Sequence, residues 1–105
     1  MIRGTTPTLI LQIPNRDLRE CDIIVTLQNL SKTLNKKNED MEIEYRDEST
    51  YLSIWFSQQD TLAFSKGTAD IQVNWLYNDG NREATETETV DIGKNLYSKV
   101  MKYGE

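Results

Sequence analysis

The stretch Gly67–Ile92 constrains this chain more than any other, because its alternation fits a β-hairpin and little else. In Ala69-Asp70-Ile71-Gln72-Val73-Asn74-Trp75-Leu76-Tyr77, the residues Ala69, Ile71, Val73, Trp75 and Tyr77 share one parity, and Asp70, Gln72 and Asn74 share the other. A period of two belongs to a strand with one buried face, since successive side chains leave a pleated backbone on opposite sides. Leu76 is the one apolar residue out of phase. At the tip, Asn78-Asp79-Gly80-Asn81 offers Asp79-Gly80, where glycine takes the positive φ of a primed hairpin turn at no steric cost. The return arm Arg82–Ile92 is predicted to pair antiparallel, with Thr85, Thr87 and Thr89 on one face and Glu86 and Glu88 on the other. Such an arm buries little, and its charge blunts accidental pairing, so an edge strand is expected.

The same period recurs elsewhere in short runs. Leu9, Leu11 and Ile13 alternate with Thr8, Ile10 and Gln12 until Pro14 stops them; Ile23, Val25 and Leu27 alternate with Asp22, Ile24 and Thr26. Asn15–Glu20 between them reads as a polar connection or a single helical turn. Lys32-Thr33-Leu34 makes a short strand before a turn at Lys37–Asp40. Met41, Ile43 and Tyr45 then alternate with Glu42 and Glu44, and Arg46–Ser49 turns the chain. Tyr51–Phe56 carries bulk on both faces, with Leu52, Ile54 and Phe56 on one and Tyr51, Ser53 and Trp55 on the other. That strand is either central or binds something with its second face. Ser57-Gln58-Gln59-Asp60 has the spacing of a helix start, because a serine oxygen accepts from the amide three residues on. One short helical turn near Ser57–Thr61 follows. At the end, Leu96, Val100 and Tyr103 fall at helical spacing, which predicts a C-terminal tail or short helix.

Six or seven short strands at spacings of about eight to twelve residues, with turn residues between them, are the pattern of an antiparallel β-sandwich. A parallel sheet needs crossover helices for which this chain has no room. With 105 residues the chain is one domain: a β-sandwich over 1–93 and a tail or short helix over 94–105. Its 12 basic and 17 acidic residues give a net charge of -5, which disfavours nucleic-acid backbones and anionic membranes as partners. The leader lacks the apolar core of a signal peptide, so synthesis and folding in the cytoplasm are expected. The lone Cys21 cannot close an internal disulfide and reads as a small buried side chain.

The absence of histidine removes the Ser-His-Asp, Cys-His and His-zinc sites. Glu42 with Glu44, and Glu86 with Glu88, are spaced as on a solvated strand face, not as a catalytic acid–base pair. Asn38-Glu39-Asp40 and Asn78–Asn81 hold calcium-type oxygens, but tight turns use the same residues. No cofactor motif is present, and no cofactor or metal is expected. The aromatic residues remain: Trp75 shares the core parity, whereas Tyr51 and Trp55 face away from Ile54 and are candidates for second-layer packing, a partner contact or a ligand.

Three segments carry a likeness beyond pattern. They are the opening Met1-Ile2-Arg3-Gly4-Thr5-Thr6-Pro7-Thr8-Leu9, the middle Ser57–Phe64 with its Gln-x-Asp-Thr-Leu-x-Phe run followed by Gly67 and Ile71-Gln72-Val73, and the later Asp79-Gly80, Ala84-Thr85 and Gly93. Together they resemble a family of small structural proteins encoded in prophages of Gram-positive bacteria, similar to the immunoglobulin-like N-terminal domain of phage baseplate upper proteins. The likeness runs from the leader to Leu96, and the leader is its most specific part. It implies an immunoglobulin-like antiparallel β-sandwich of about seven strands. It also implies a non-enzymatic virion component of a tail or baseplate, made in the host cytoplasm and acting through other tail or baseplate proteins or copies of itself. It brings no catalytic residues. Glu86-Thr87-Glu88-Thr89 is more polar than the family's return strand, and the segment after Asn95 is longer. The candidate partner contacts are Tyr51, Trp55, Glu86 and Glu88. The alternative is a carbohydrate- or cell-surface-binding module built on Tyr51 and Trp55.

Overall fold

In a computed structural model that describes residues 1–30 and 32–104, the alternating runs become two antiparallel sheets. The first has the order β1-β5-β4, from β1 (Thr8–Pro14), β5 (Ser49–Trp55) and β4 (Met41–Arg46). The second holds β2 (Asp22–Asn29), β3 (Lys32–Lys37), β6 (Gly67–Leu76), β7 (Arg82–Ala84) and β8 (Glu88–Ile92). Its order is β3-β2-β6, with β7 and β8 following one another along the far side of β6. A short helix α1, Gln58–Leu62, joins β5 to β6, and a 3-10 turn at Asn38–Asp40 joins β3 to β4.

This strand order is that of an immunoglobulin-like sandwich. An immunoglobulin domain sets strands B, E and D against C′, C, F and G; here β1, β5 and β4 stand against β3, β2, β6 and β7–β8. Among the described residues, no strand takes the position outside strand B, along β1, which strand A fills in such domains. The leader goes elsewhere: Ile2 bridges Gly93 in parallel, so Met1–Arg3 runs alongside the end of β8. Gly93 permits this approach, because a Cβ there would stand 3.2 Å from Ile2 Cγ1.

The faces follow the predicted parities. Ile23, Val25 and Leu27 from β2, Leu52 and Ile54 from β5, and Ala69, Ile71, Val73 and Trp75 from β6 are all buried between the sheets with Phe56, Phe64 and Cys21. Leu18, in the connection after β1, is also fully buried. Thr50 holds that connection, accepting from the Leu18 N–H at 3.0 Å and donating to the Arg16 carbonyl at 2.7 Å. Helix α1 begins as its sequence predicts. The Asp60 N–H donates to Ser57 Oγ, and the Ser57 N–H donates to Asp60 Oδ2, a reciprocal cap.

Three expectations are corrected. First, β3 runs to Lys37 and not only to Leu34; Lys36 broke the apolar alternation, yet it is buried, its ammonium 2.7 Å from Asp60. Second, the hairpin tip is a type I turn closed by the Gly80 N–H on the Tyr77 carbonyl, with Gly80 at φ +92 just after it. Gly80 therefore forms the bulge of a three-residue loop instead of the centre of a primed pair. The two-residue loop between β4 and β5 is the one with both central residues, Asp47 and Glu48, at positive φ (50 and 61).

Third, the return arm is two strands. Asn74 pairs with Ala84 but Ile71 pairs with Glu88, so the return side carries one residue more than β6 between those rungs. The cause is the apolar pattern: in an unbroken ladder Thr89 and Asp91 would face the core. The β-bulge at 85–87 swings Val90 and Ile92 inward instead. Thr85 closes it, with its N–H on the Val73 carbonyl at 2.9 Å and its hydroxyl accepting from the Val73 N–H at 3.1 Å. Glu88 consequently shares the core-facing parity of Ile71, not the outer parity the sequence predicts. Of the tail or short helix expected after Gly93, residues 94–104 form the tail. A ten-residue helix is marginal alone, and its Leu96, Val100 and Tyr103 are exposed. The tail bonds instead to Gln58, whose amide donates to the Met101 carbonyl at 3.0 Å and accepts from the Met101 N–H at 2.7 Å.

Candidate contact surface

The four candidate residues fall on two surfaces that meet along β1. Tyr51, Ser53 and Trp55 point outward from β5, the central strand of the three-stranded sheet. Beside them β1 presents Thr8, Ile10 and Gln12, and β4 presents Glu42, Glu44 and Arg46. Trp55 is 49% exposed and Ile10 63% exposed, and they are diagonal neighbours, since Thr8 lies opposite Trp55 and Ile10 opposite Ser53. Tyr51 is less available. The Arg46 guanidinium lies 3.9 Å from its ring centroid and is held there by Glu44 at 3.3 Å. The face is thus an apolar pair at the β1 side and a charged border at the β4 side.

Ile10 is the member that sequence reasoning passed over. Its signal was present, because it is the one large apolar residue on the outward parity of β1, but alternation alone does not say whether a second layer covers that face. The opposite outer face, on the five-stranded sheet, is more polar; Asp70, Gln72 and Asn74 dominate β6 there, with Ile24 and Leu76 the exposed apolar side chains.

Glu86 and Glu88 lie on the second surface. A groove of about 220 Å³ separates β1 from the bulge, with Ile10–Ile13 on one wall and Ile71, Val73, Thr85, Glu86 and Glu88 on the other. Because of this groove Leu9 and Leu11 are only half-buried although they face inward. Both glutamates line its mouth and are exposed. Tyr51 and Trp55 therefore do not share a site with Glu86 and Glu88, and β1 borders both.

The perturbed ionisable groups lie away from these surfaces and have structural causes. Burial works against the Asp60 charge, but the Lys36 ammonium and the Ser57 amide outweigh it and hold the carboxyl below its ordinary range. Glu83 is lowered by the Tyr77 hydroxyl and Arg16, and it also accepts from the Trp75 indole N–H at 3.3 Å. Burial raises the Cys21 thiol above its usual value. The calcium-type oxygens are occupied within their turns: the Asn38 side chain accepts from the Ile23 N–H and donates to the Cys21 carbonyl, and Asp79 accepts from the Asn81 N–H. Among the described residues, no helix is long and apolar enough to cross a membrane.

No family model matches this chain, and no curated protein does. Among solved structures, murine CRIg aligns with 90% of this chain and 89% of its own at 12% identity, with a TM-score of 0.38. A likeness that distant leaves the fold assignment resting on the strand order itself.

Proposed function

We propose that this chain is a non-enzymatic module that acts through protein–protein contacts, as a structural part of a phage or prophage tail or baseplate. The observation that supports contact as its mode of action is the Ile10–Trp55 pair, two large apolar side chains adjacent on a flat sheet face and about half open to water. Aromatic anchors of this kind carry most of the energy of protein interfaces. The virion role rests on the leader and on the Gln58–Phe64 run, through the family they resemble. A carbohydrate platform is less well served, because Arg46 covers the Tyr51 ring and leaves Trp55 to stack alone.

Mass spectrometry of particles purified after prophage induction tests this reading. The chain is expected in fixed ratio to the tail proteins, and Trp55→Asp is expected to leave the fold intact while removing the chain from particles. Its absence from particles made by the unmutated host would end the virion role, and glycan-array binding lost on Trp55→Ala would move the assignment to carbohydrate.

A further inference from the structure

We infer that the free edge of β1 accepts the C-terminal tail of a second copy as an added strand, so that chains join head to tail; this rests on the reading of the chain as a contact module. Among the described residues, β1 pairs with β5 alone. Antiparallel ladders bond alternate residues to a given neighbour. The Phe56 N–H donates to the Pro7 carbonyl, so Leu9, Leu11 and Ile13 bond toward β5. Thr8, Ile10 and Gln12 therefore turn their N–H and C=O groups outward, and Pro14 ends the free edge.

The other edges are guarded. Strand β3 carries Lys32, Lys36 and Lys37, β4 carries Glu42, Glu44 and Arg46, and β7–β8 is bulged and holds Arg82, Glu83, Glu88 and Asp91. Strand β1, Thr-Leu-Ile-Leu-Gln-Ile-Pro, has no charge at all. Charge and bulges are how sheets prevent unwanted pairing, so an uncharged edge of seven residues is the one left open to a partner strand.

The groove chooses the partner. Glu86 and Glu88 flank it on the side opposite β1, so two β1 edges paired about a two-fold axis would bring both acidic rims toward that axis. A basic, apolar strand has no such conflict. Residues 94–105 contain Lys94, Lys99 and Lys102 against a single acidic residue, Glu105. Leu96 is 91% exposed and Met101 68% exposed, and few bonds hold the tail to its own body. Within its own chain it lies off β1, bonded through Met101 to Gln58.

Sedimentation of the full chain from micromolar to millimolar concentration, with amide exchange followed in parallel, tests the inference. An open series of oligomers is expected, as head-to-tail contacts require, with slowed exchange at Thr8, Ile10 and Gln12. Lys99→Glu with Lys102→Glu is expected to weaken association by about tenfold, and adding Glu86→Lys with Glu88→Lys to restore it. Ile10→Pro is expected to abolish it, since the lost N–H points away from β5; should that variant fail to fold, the lysine reversals decide alone. A monomer throughout the range, unslowed exchange on β1, or association indifferent to the tail charges would each overturn the inference, and the last would favour pairing of two β1 edges. Particle content is a separate readout, so a chain that assembles this way but is missing from particles loses only its virion role.

Discussion

The side chains that close this sandwich include several that hydropathy marks as surface. Lys36 and Asp60 tie edge strand β3 to helix α1 through a contact that is only 11% and 21% exposed on its two sides, and the lysine also lies over the Phe56 ring. Asp60 additionally caps α1, so Asp60→Asn is expected to cost about 2 kcal/mol at neutral pH, measured by urea denaturation. The sign with pH follows from the lowered carboxyl. Its contribution is fully present above the ordinary value of 3.8 and is lost as pH falls through the lower folded value. The gap between the native chain and Asp60→Asn should therefore close in acid below about pH 4; a gap that stays constant down to pH 2 would contradict the assignment. Neither this pair nor Leu18, buried in a charged connection, was legible in the sequence. Each is buried by neighbours distant along the chain, which local alternation does not register.

At the level of elements the sequence speaks most clearly where one period governs one strand. β1, β2, β4, β5 and β6 lie where their alternation puts them, and α1 lies where Ser57 and Asp60 put it, because a buried face and a reciprocal cap are both local. The return arm shows the limit. Thr-Glu alternation reads as one continuous strand, but the inward demand of Val90 and Ile92 wins, and the ladder slips at the bulge. Deleting Thr87 removes the extra residue, which forces Asp91 inward or detaches β8; a loss of at least about 3 kcal/mol is expected in chemical denaturation. The β4–β5 loop makes a prediction of the opposite sign. Glu48 sits at φ 61, a region unfavourable to a side chain with a Cβ, so Glu48→Gly should raise stability by about 0.5–1 kcal/mol, or several degrees in Tm for a domain of this size. The acidic turn residues announced a turn but not its hand, which the twist of the two strands sets.

For the molecule as a whole, the strand order places a flat face, a grooved edge and a loose tail around one core, and of these only the strand-borne part of the core was readable beforehand. The candidate residues were identified by type, but their separation onto two surfaces depends on sheet order, which no single strand encodes. The leader adds a mechanical property to this arrangement. The Met1 nitrogen donates to the Asp91 carbonyl at 2.8 Å, the Gly93 N–H to the Met1 carbonyl, and the Arg3 N–H to the Gly93 carbonyl at 3.0 Å. Because the leader and the end of β8 run parallel, tension between Met1 and the tail loads these three bonds in shear, all together, instead of peeling them apart in turn. Gly93→Ala, which pushes a methyl group against Ile2, is expected to lower the peak unfolding force in single-molecule pulling between those points while leaving the two sheets assembled. An unchanged force would place the resistance elsewhere in the sandwich.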